Sequence, residues 1–220
     1  MSQNMRKCLI EFLGTTFLLA TVVGSGIMGE ALSEGNAAIA LLANTIATGA
    51  ILYVLITMFG PISGAHFNPA VSLVFFLKRD IKRDTFILYI IAQFCGGIVG
   101  VVIAHLMFDL ELLQYSSKIR YGFSQWISEL IAAFGLLLTI LVTLREKSDS
   151  VAMSVGLYIT AAYWFTASTS FANPAVTVAR TFTDTFSGIN YSGILYFIIF
   201  QFVGAVFALF IYNLLYQDRH

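Results

Sequence analysis

Charged residues are scarce in this chain of 220 residues: they make up 11% of it, against 58% for hydrophobic residues. A soluble globular domain carries about 25% charged residues, so this composition excludes that class. The 12 basic and 12 acidic residues cancel to a formal net charge of zero. That balance gives no indication of a polyanionic partner, and we expect no nucleic acid.

Cysteine and histidine are also scarce. Cys8 and Cys95 are the two cysteines, and both lie within apolar stretches. Cysteines placed in this way provide neither a disulfide framework nor a metal-ligand spacing. The sequence also has no nucleophile–base pairing and no nucleotide-binding loop. We therefore expect no metal, no cofactor and no enzymatic activity.

Long apolar stretches dominate the remainder, and the mean hydropathy is +0.84. A helix needs about 20 apolar residues to cross a bilayer. Six stretches meet this standard: residues 8–28, 37–59, 86–108, 126–144, 151–171 and 194–216. The pattern predicts a single polytopic membrane domain over residues 1–220, in contact with the lipid bilayer.

The basic residues indicate the orientation. With both termini on one side, that side carries nine of the 12: Arg6, Lys7, Lys78, Arg79, Lys82, Arg83, Arg145, Lys147 and Arg219. The other side carries Lys118, Arg120 and Arg180. The positive-inside rule then places both termini in the cytoplasm, and we expect a plasma (inner) membrane location.

One short motif occurs in each half of the chain, as Asn68-Pro69-Ala70-Val71 and Asn173-Pro174-Ala175-Val176. Asn is a preferred helix N-cap and Pro a preferred first helical residue, so each copy predicts a helix start. Ten residues run from each Asn to the predicted end of its helix, at Leu77 and Phe182. At about 1.5 Å per residue each would cross half of the hydrocarbon core.

Other residues also match between the halves: Glu11 with Glu129, and Gln93 with Gln201. Each half thus contains three spans, about residues 7–110 and 123–217. Because three is odd, the second half must be inverted relative to the first. The predicted fold is all-α, with six transmembrane helices and two half-helices whose N-termini meet at the bilayer midplane.

Two facing helix N-termini each present roughly half a positive charge. A wet constriction of this kind passes neutral polar molecules and repels cations, so the sequence predicts a passive channel. The alternative is an inverted-repeat secondary transporter that uses Glu11 or Glu129 for coupling. The motifs at the midplane are neutral, which disfavours coupling.

The paired Asn-Pro-Ala motifs, with Glu11, Glu129, Gln93 and Gln201, resemble those of the major intrinsic protein family, the aquaporins and aquaglyceroporins. The resemblance covers essentially the whole chain. It implies an aquaporin-like right-handed bundle, a homotetramer with one pore per subunit, and exclusion of protons by half-helix dipoles. It also implies that Glu11 and Glu129 accept hydrogen bonds from the loops before the half-helices, although a proton-relay pair is the rival interpretation.

The resemblance also locates a selectivity filter, and here the chain departs from the family. Most members carry arginine at the position of Val176, and an aromatic residue at that of Thr48. Ser170 takes the third position. The fourth is Tyr163 when counted from Gly156-Leu157, which we favour, or Ala161 when counted back from Asn173.

A filter without arginine and with Thr48 should be wide and without a fixed charge. We expect it to admit water, glycerol, urea and uncharged metalloid hydroxides such as arsenous acid. The combination of Thr and Val resembles a bacterial aquaglyceroporin branch associated with arsenic resistance. A water-selective aquaporin is the alternative.

Two further residues are candidates for the ends of the pore. His66 is expected to shape the cytoplasmic mouth, with gating by its protonation as an alternative. Arg180 lies four residues beyond Val176 and so shares its helical face. It could line the outer vestibule, or it could be a snorkelling arginine at the membrane interface.

Overall fold

The computed structural model describes residues 1–216, and these form an all-helical bundle without strands. Its α-helices are α1 (Gln3–Leu32), α2 (Ala37–Ser63), α3 (Pro69–Leu77), α4 (Arg83–Met107), α5 (Phe123–Glu146), α6 (Val151–Phe165), α7 (Pro174–Ala179) and α8 (Ile194–Tyr216). Helices α1, α2, α4, α5 and α8 are long and apolar enough to cross a membrane. Arg219 and residue 217, the predicted end of the second repeat, lie outside the described residues.

Helices α3 and α7 are the two half-helices. Asn68 and Asn173 cap them in an extended backbone conformation, and Pro69 and Pro174 occupy their first turns. Helix α3 has 9 residues; α7 has 6 and continues as a 3-10 turn, Arg180–Phe182. Local signals determine where each half-helix begins, because the Asn cap starts the helix directly after a loop that cannot be helical.

The helices pack in two matching groups. Helix α1 packs against α2 and α4, and α5 packs in the same way against α6 and α8. Each half-helix contacts both α4 and α8, and the two half-helices contact each other. This arrangement confirms the predicted fold of six spans and two half-helices, while the exact repeat boundaries stay a prediction.

Close helix packing depends on glycines at matching positions. A Cβ added at Gly96 of α4 would overlap the carbonyl oxygen of Phe12 in α1. A Cβ at Gly204 of α8 would likewise overlap the carbonyl oxygen of Leu130 in α5. Small residues let helix backbones approach closely in a membrane, where dispersion contacts replace the hydrophobic effect as the driving force.

The fifth span is shorter than its apolar stretch predicts. Helix α6 ends at Phe165, whereas the stretch of apolar and small residues continues to residue 171. Residues 166–172 instead form an irregular loop in which Thr169, Ser170 and Ala172 have positive φ angles. Hydropathy could not separate this loop from the helix, since both are uncharged.

Candidate pore and selectivity site

The two Asn side chains join the starts of the half-helices. The Oδ1 of Asn68 accepts from Ala70 N at 2.9 Å, and that of Asn173 accepts from Ala175 N at 2.9 Å. The Nδ2 atoms donate across the bundle, Asn68 to the Ala172 carbonyl and Asn173 to the Phe67 carbonyl, both at 2.8 Å. An amide NH2 has two N–H groups, so each Asn keeps one for a solute.

The loops before these caps share a strained backbone that the sequence did not reveal. The residues three and one before each Asn have positive φ: Ala65 and Phe67, with Ser170 and Ala172 at the matching positions. None of the four is glycine, and the left-handed conformation costs a non-glycine residue about 1–2 kcal/mol. Such strain persists only where the surroundings impose it.

In the first loop, the buried carboxylate of Glu11 holds the backbone in this strained conformation. Its Oε1 accepts from His66 N at 3.0 Å and from Ser63 Oγ at 2.7 Å. Its Oε2 accepts from Phe67 N at 2.7 Å and from Gln93 Nε2 at 2.9 Å. The carboxylate is thus surrounded by donors, as a buried charge requires.

Glu129 has the same surroundings in the second loop. It accepts from Phe171 N at 2.9 Å, from Ala172 N at 2.8 Å and from Gln201 Nε2 at 2.6 Å. Neither carboxylate is among the described residues that line the cavity, and both side chains are fully buried. These hydrogen bonds are those that a loop-supporting role requires, and that role stays a prediction.

A narrow cavity of about 70 Å³ runs past the half-helix caps. Its walls are mainly aliphatic, with Val22, Leu52, Ile56, Leu136, Ile140, Val155 and Ile159 among them. Its polar lining residues are Thr48, His66, Asn68, Tyr163, Ser170, Asn173 and Arg180. An apolar passage with a few polar groups on its wall desolvates a small molecule only partly and offers it hydrogen bonds in sequence.

The four expected filter residues come together at this cavity. Thr48, Tyr163, Ser170 and Val176 all line it and are all buried. The Tyr163 hydroxyl lies 3.3 Å from Thr48 Oγ1, which holds the ring against α2. Ala161, the alternative to Tyr163, is exposed on the outer surface of α6 and is not among the lining residues.

His66 and Arg180 also line the cavity. The His66 Nδ1 lies 3.1 Å from Ser72 Oγ, and its ring packs on Phe75 with a centroid distance of 4.7 Å. Arg180 is only 2% exposed. It is therefore buried in the protein and does not extend to the membrane interface as a snorkelling arginine would.

A loop over residues 183–190 follows the 3-10 turn of α7, and the sequence did not predict its contacts. His105 is buried, with its Nε2 2.8 Å from Thr183 Oγ1. The exposed Asp184 accepts from Ser117 N at 2.8 Å, and this bond lowers the pKa of the Asp184 carboxyl from its ordinary value. Arg120 donates to the carbonyls of Gly188 at 3.0 Å and Ser168 at 3.1 Å. The Arg120 contacts join this loop to the loop before Asn173, and no local pattern in the sequence predicted them.

A helical bundle with two half-helices meeting inside it, around a partly polar cavity, defines a transmembrane channel. The family model described as Major intrinsic protein matches residues 1–150 of the chain. Aquaglyceroporin AqpS of Rhizobium meliloti (strain 1021) is 58% identical over 212 residues, 96% of this chain and 91% of that protein. Aquaporin-1 of Homo sapiens is 28% identical over 228 residues, 97% of this chain and 83% of that protein.

The X-ray structure of the aquaglyceroporin from Plasmodium falciparum matches with a TM-score of 0.74. The match covers 98% of this chain and 96% of that chain, and at 21% identity it shows the fold alone. The chain belongs to the major intrinsic protein family. It is an integral membrane channel for water and small solutes, in a family of channels and not of enzymes.

Proposed function

We propose that this channel conducts small uncharged hydroxylated solutes, namely glycerol, urea and arsenous acid-type metalloid hydroxides, as well as water. The observation that carries the proposal is the pair of small side chains at the cavity wall. Val176 and Thr48 are 5% and 3% exposed and line the cavity where the family resemblance implies an arginine and an aromatic ring. Without the arginine and the aromatic ring, the passage is wider and has fewer fixed hydrogen-bond donors.

The high identity to a protein named as an aquaglyceroporin supports the same solute class. In the proposed filter, Tyr163 forms the one aromatic wall, while Ser170 and Thr48 offer hydroxyl groups. Asn68 and Asn173 then pass the solute across the midplane. The first turns of the half-helices, at Pro69-Ala70 and Pro174-Ala175, direct their positive N-terminal ends at this point, where they oppose cations.

We further propose a homotetramer in the plasma (inner) membrane, with both termini in the cytoplasm. The distribution of basic residues supports the orientation, with nine of 12 on the terminal side. His66 then lies toward the cytoplasmic mouth and Arg180 toward the outer vestibule. The repeats 7–110 and 123–217 form one channel domain.

A solute panel on reconstituted protein tests the proposal. Stopped-flow measurements on proteoliposomes compare water, glycerol, urea and arsenous acid for the wild type, Val176→Arg and Thr48→Phe. Each variant should lower the ratio of glycerol to water permeability by about tenfold, because a cation or a ring narrows the passage. Water flux that persists in both variants shows that the pore is still folded.

Ile46→Phe is a matched control for Thr48→Phe, since Ile46 lies on the same helix and is 56% exposed on its outer face. It should leave the permeability ratio unchanged. A wild type that passes water and excludes every larger solute would establish the water-selective alternative. Solute uptake that saturates and depends on an ion gradient would instead indicate a secondary transporter.

A further inference from the structure

The partners of the Arg180 side chain are incomplete. Its Nε donates to the Ser187 carbonyl, and its guanidinium carbon lies 3.5 Å from the centroid of the Phe171 ring. Its Nη1 is buried and has no hydrogen-bond partner among residues 1–216. Arg180 is 2% exposed and lines the cavity, so a charged donor without a partner lies buried beside the pore.

Ser170 Oγ is a second buried polar atom without a partner in the described chain, and Ser170 lines the same cavity. It directly precedes Phe171, whose ring carries the Arg180 guanidinium. Buried polar atoms in native proteins are nearly always hydrogen-bonded. Two buried polar groups without partners at one cavity therefore indicate that a ligand binds there.

The charges around Arg180 indicate the charge of this ligand. Arg120 lies on the same Phe171 ring, with its guanidinium carbon 5.2 Å from the centroid, and its donors go to neutral oxygens. Neither arginine has a carboxylate at ion-pair distance among residues 1–216. Glu129, the buried acid of this half, already accepts three hydrogen bonds. Buried charges are ordinarily paired, so the buried Arg180, next to the half-buried Arg120, leaves a positive charge without a counterion among residues 1–216.

We propose that Arg180 and Ser170 form a subsite for a small monovalent oxyanion or carboxylate at the outer end of the cavity, one helical turn outside Val176. The planar guanidinium supplies the charged donor from Nη1, and the Ser170 hydroxyl supplies a second. Phe171 and Ser187 hold the guanidinium in place. Because this site shares the cavity of the proposed solute pathway, an anion bound there hinders the passage of neutral solutes.

The experiment compares formate with formamide, which has nearly the same shape and no charge. Each is added at equal concentration on both sides of proteoliposomes containing the wild-type protein, at neutral pH, and glycerol permeability is measured. Formate should reach half-inhibition at a concentration about tenfold lower than formamide, since a charge-assisted hydrogen bond to a buried arginine is strong. Equal effects of the two compounds would overturn the proposal.

The variants assign the effect to Arg180. Arg180→Gln should abolish the difference between formate and formamide, and Arg180→Lys should retain part of it. Arg83→Gln, at an exposed arginine that begins α4, is the matched control and should behave like the wild type. A formate effect that survives Arg180→Gln would show that the site lies elsewhere and would overturn the proposal.

A binding measurement separates this proposal from the proposed solute range. The line width of [13C]formate with the purified wild-type protein in detergent should increase, and added nitrate should reverse the increase. Broadening in a protein that passes no glycerol would support the subsite and contradict the solute proposal. Glycerol flux without broadening of the formate line would support the solute proposal and contradict the subsite. If Arg180→Gln does not fold, the wild type and Arg180→Lys give the same comparison.

Discussion

In the proposed filter, solute size depends at the residue scale on the side chains of Val176, Thr48 and Tyr163. The first two are small, and the third is the single aromatic residue among the four expected filter positions. The Tyr163 hydroxyl meets Thr48 Oγ1 at 3.3 Å, so the small Thr48 also leaves room for the ring to approach α2. The width of the filter therefore depends on Tyr163 more than on any other single side chain at that level.

Tyr163→Ala should raise the permeability to a four-carbon polyol relative to glycerol by about tenfold, because it removes the ring that closes one wall. Stopped-flow swelling of proteoliposomes measures both solutes. Ala161→Leu, on the exposed outer surface of α6, is the control and should leave the ratio unchanged. The reverse pattern, with Ala161→Leu active and Tyr163→Ala silent, would assign the fourth position to residue 161.

Glu129→Gln should destabilise the protein by roughly 3 kcal/mol, since the amide NH2 would face backbone N–H groups that now donate to a carboxylate. The measurement is thermal unfolding in detergent, together with water flux, which should fall as the loop before Asn173 loses its support. Glu111→Gln, at an exposed acid, is the control and should unfold like the wild type. Unchanged stability with an altered pH dependence of flux would instead favour a proton-relay role.

At the scale of elements, the glycine contacts set the distance between helices. Gly96 faces the Phe12 carbonyl across the α1–α4 contact, and Gly204 faces the Leu130 carbonyl across the α5–α8 contact. These contacts lie in the helices that also hold Gln93 and Gln201 against the two carboxylates. A change in helix separation would therefore reach the loops of the pore.

Gly96→Ala should destabilise the protein by about 2 kcal/mol, because the new methyl group meets backbone that cannot move aside. Gly204→Ala should act in the same way in the other half. Gly24→Ala is the matched control within α1, since its Cβ would meet only the Phe108 ring, at 3.4 Å. Thermal unfolding in one detergent compares all three, and equal midpoints for Gly96→Ala and Gly24→Ala would contradict the packing argument.

At the scale of the whole molecule, the outer faces of the bundle carry large apolar side chains. Phe17, Ile46 and Leu157 are 54%, 56% and 62% exposed. In an aqueous protein such surfaces would aggregate, whereas in a membrane protein they can face lipid. Residues of a single chain line the cavity, so in the proposed tetramer we expect each subunit to form its own pore.

Native mass spectrometry from mild detergent should show four chains of 24.2 kDa in one particle. When wild-type subunits are mixed with Val176→Arg subunits, glycerol flux should fall in proportion to the fraction of variant, because each subunit conducts on its own. A steeper fall would indicate that subunits cooperate. A particle of one or two chains would contradict the tetramer.

The sequence by itself determined the class of protein, the six spans, the two half-helices and the positions of their caps. Each follows from a local or periodic signal: apolar length, an Asn-Pro start, and a motif repeated after an odd number of spans. The candidate site followed from the same repeat, together with the family resemblance. The end of α6 could not be predicted, because an uncharged loop and an uncharged helix have the same hydropathy.

Only the tertiary structure decided which polar groups meet. The reciprocal bonds between Asn68 and Asn173 and the opposite loops join residues more than 100 positions apart. The positive φ angles before each cap depend on carboxylates from other helices. Arg180 was visible as a cation one turn beyond Val176, but its burial and its shared ring with Arg120 depend on the outer loops. Burial and pairing are properties of the assembled fold, because they depend on which segments exclude water from one another.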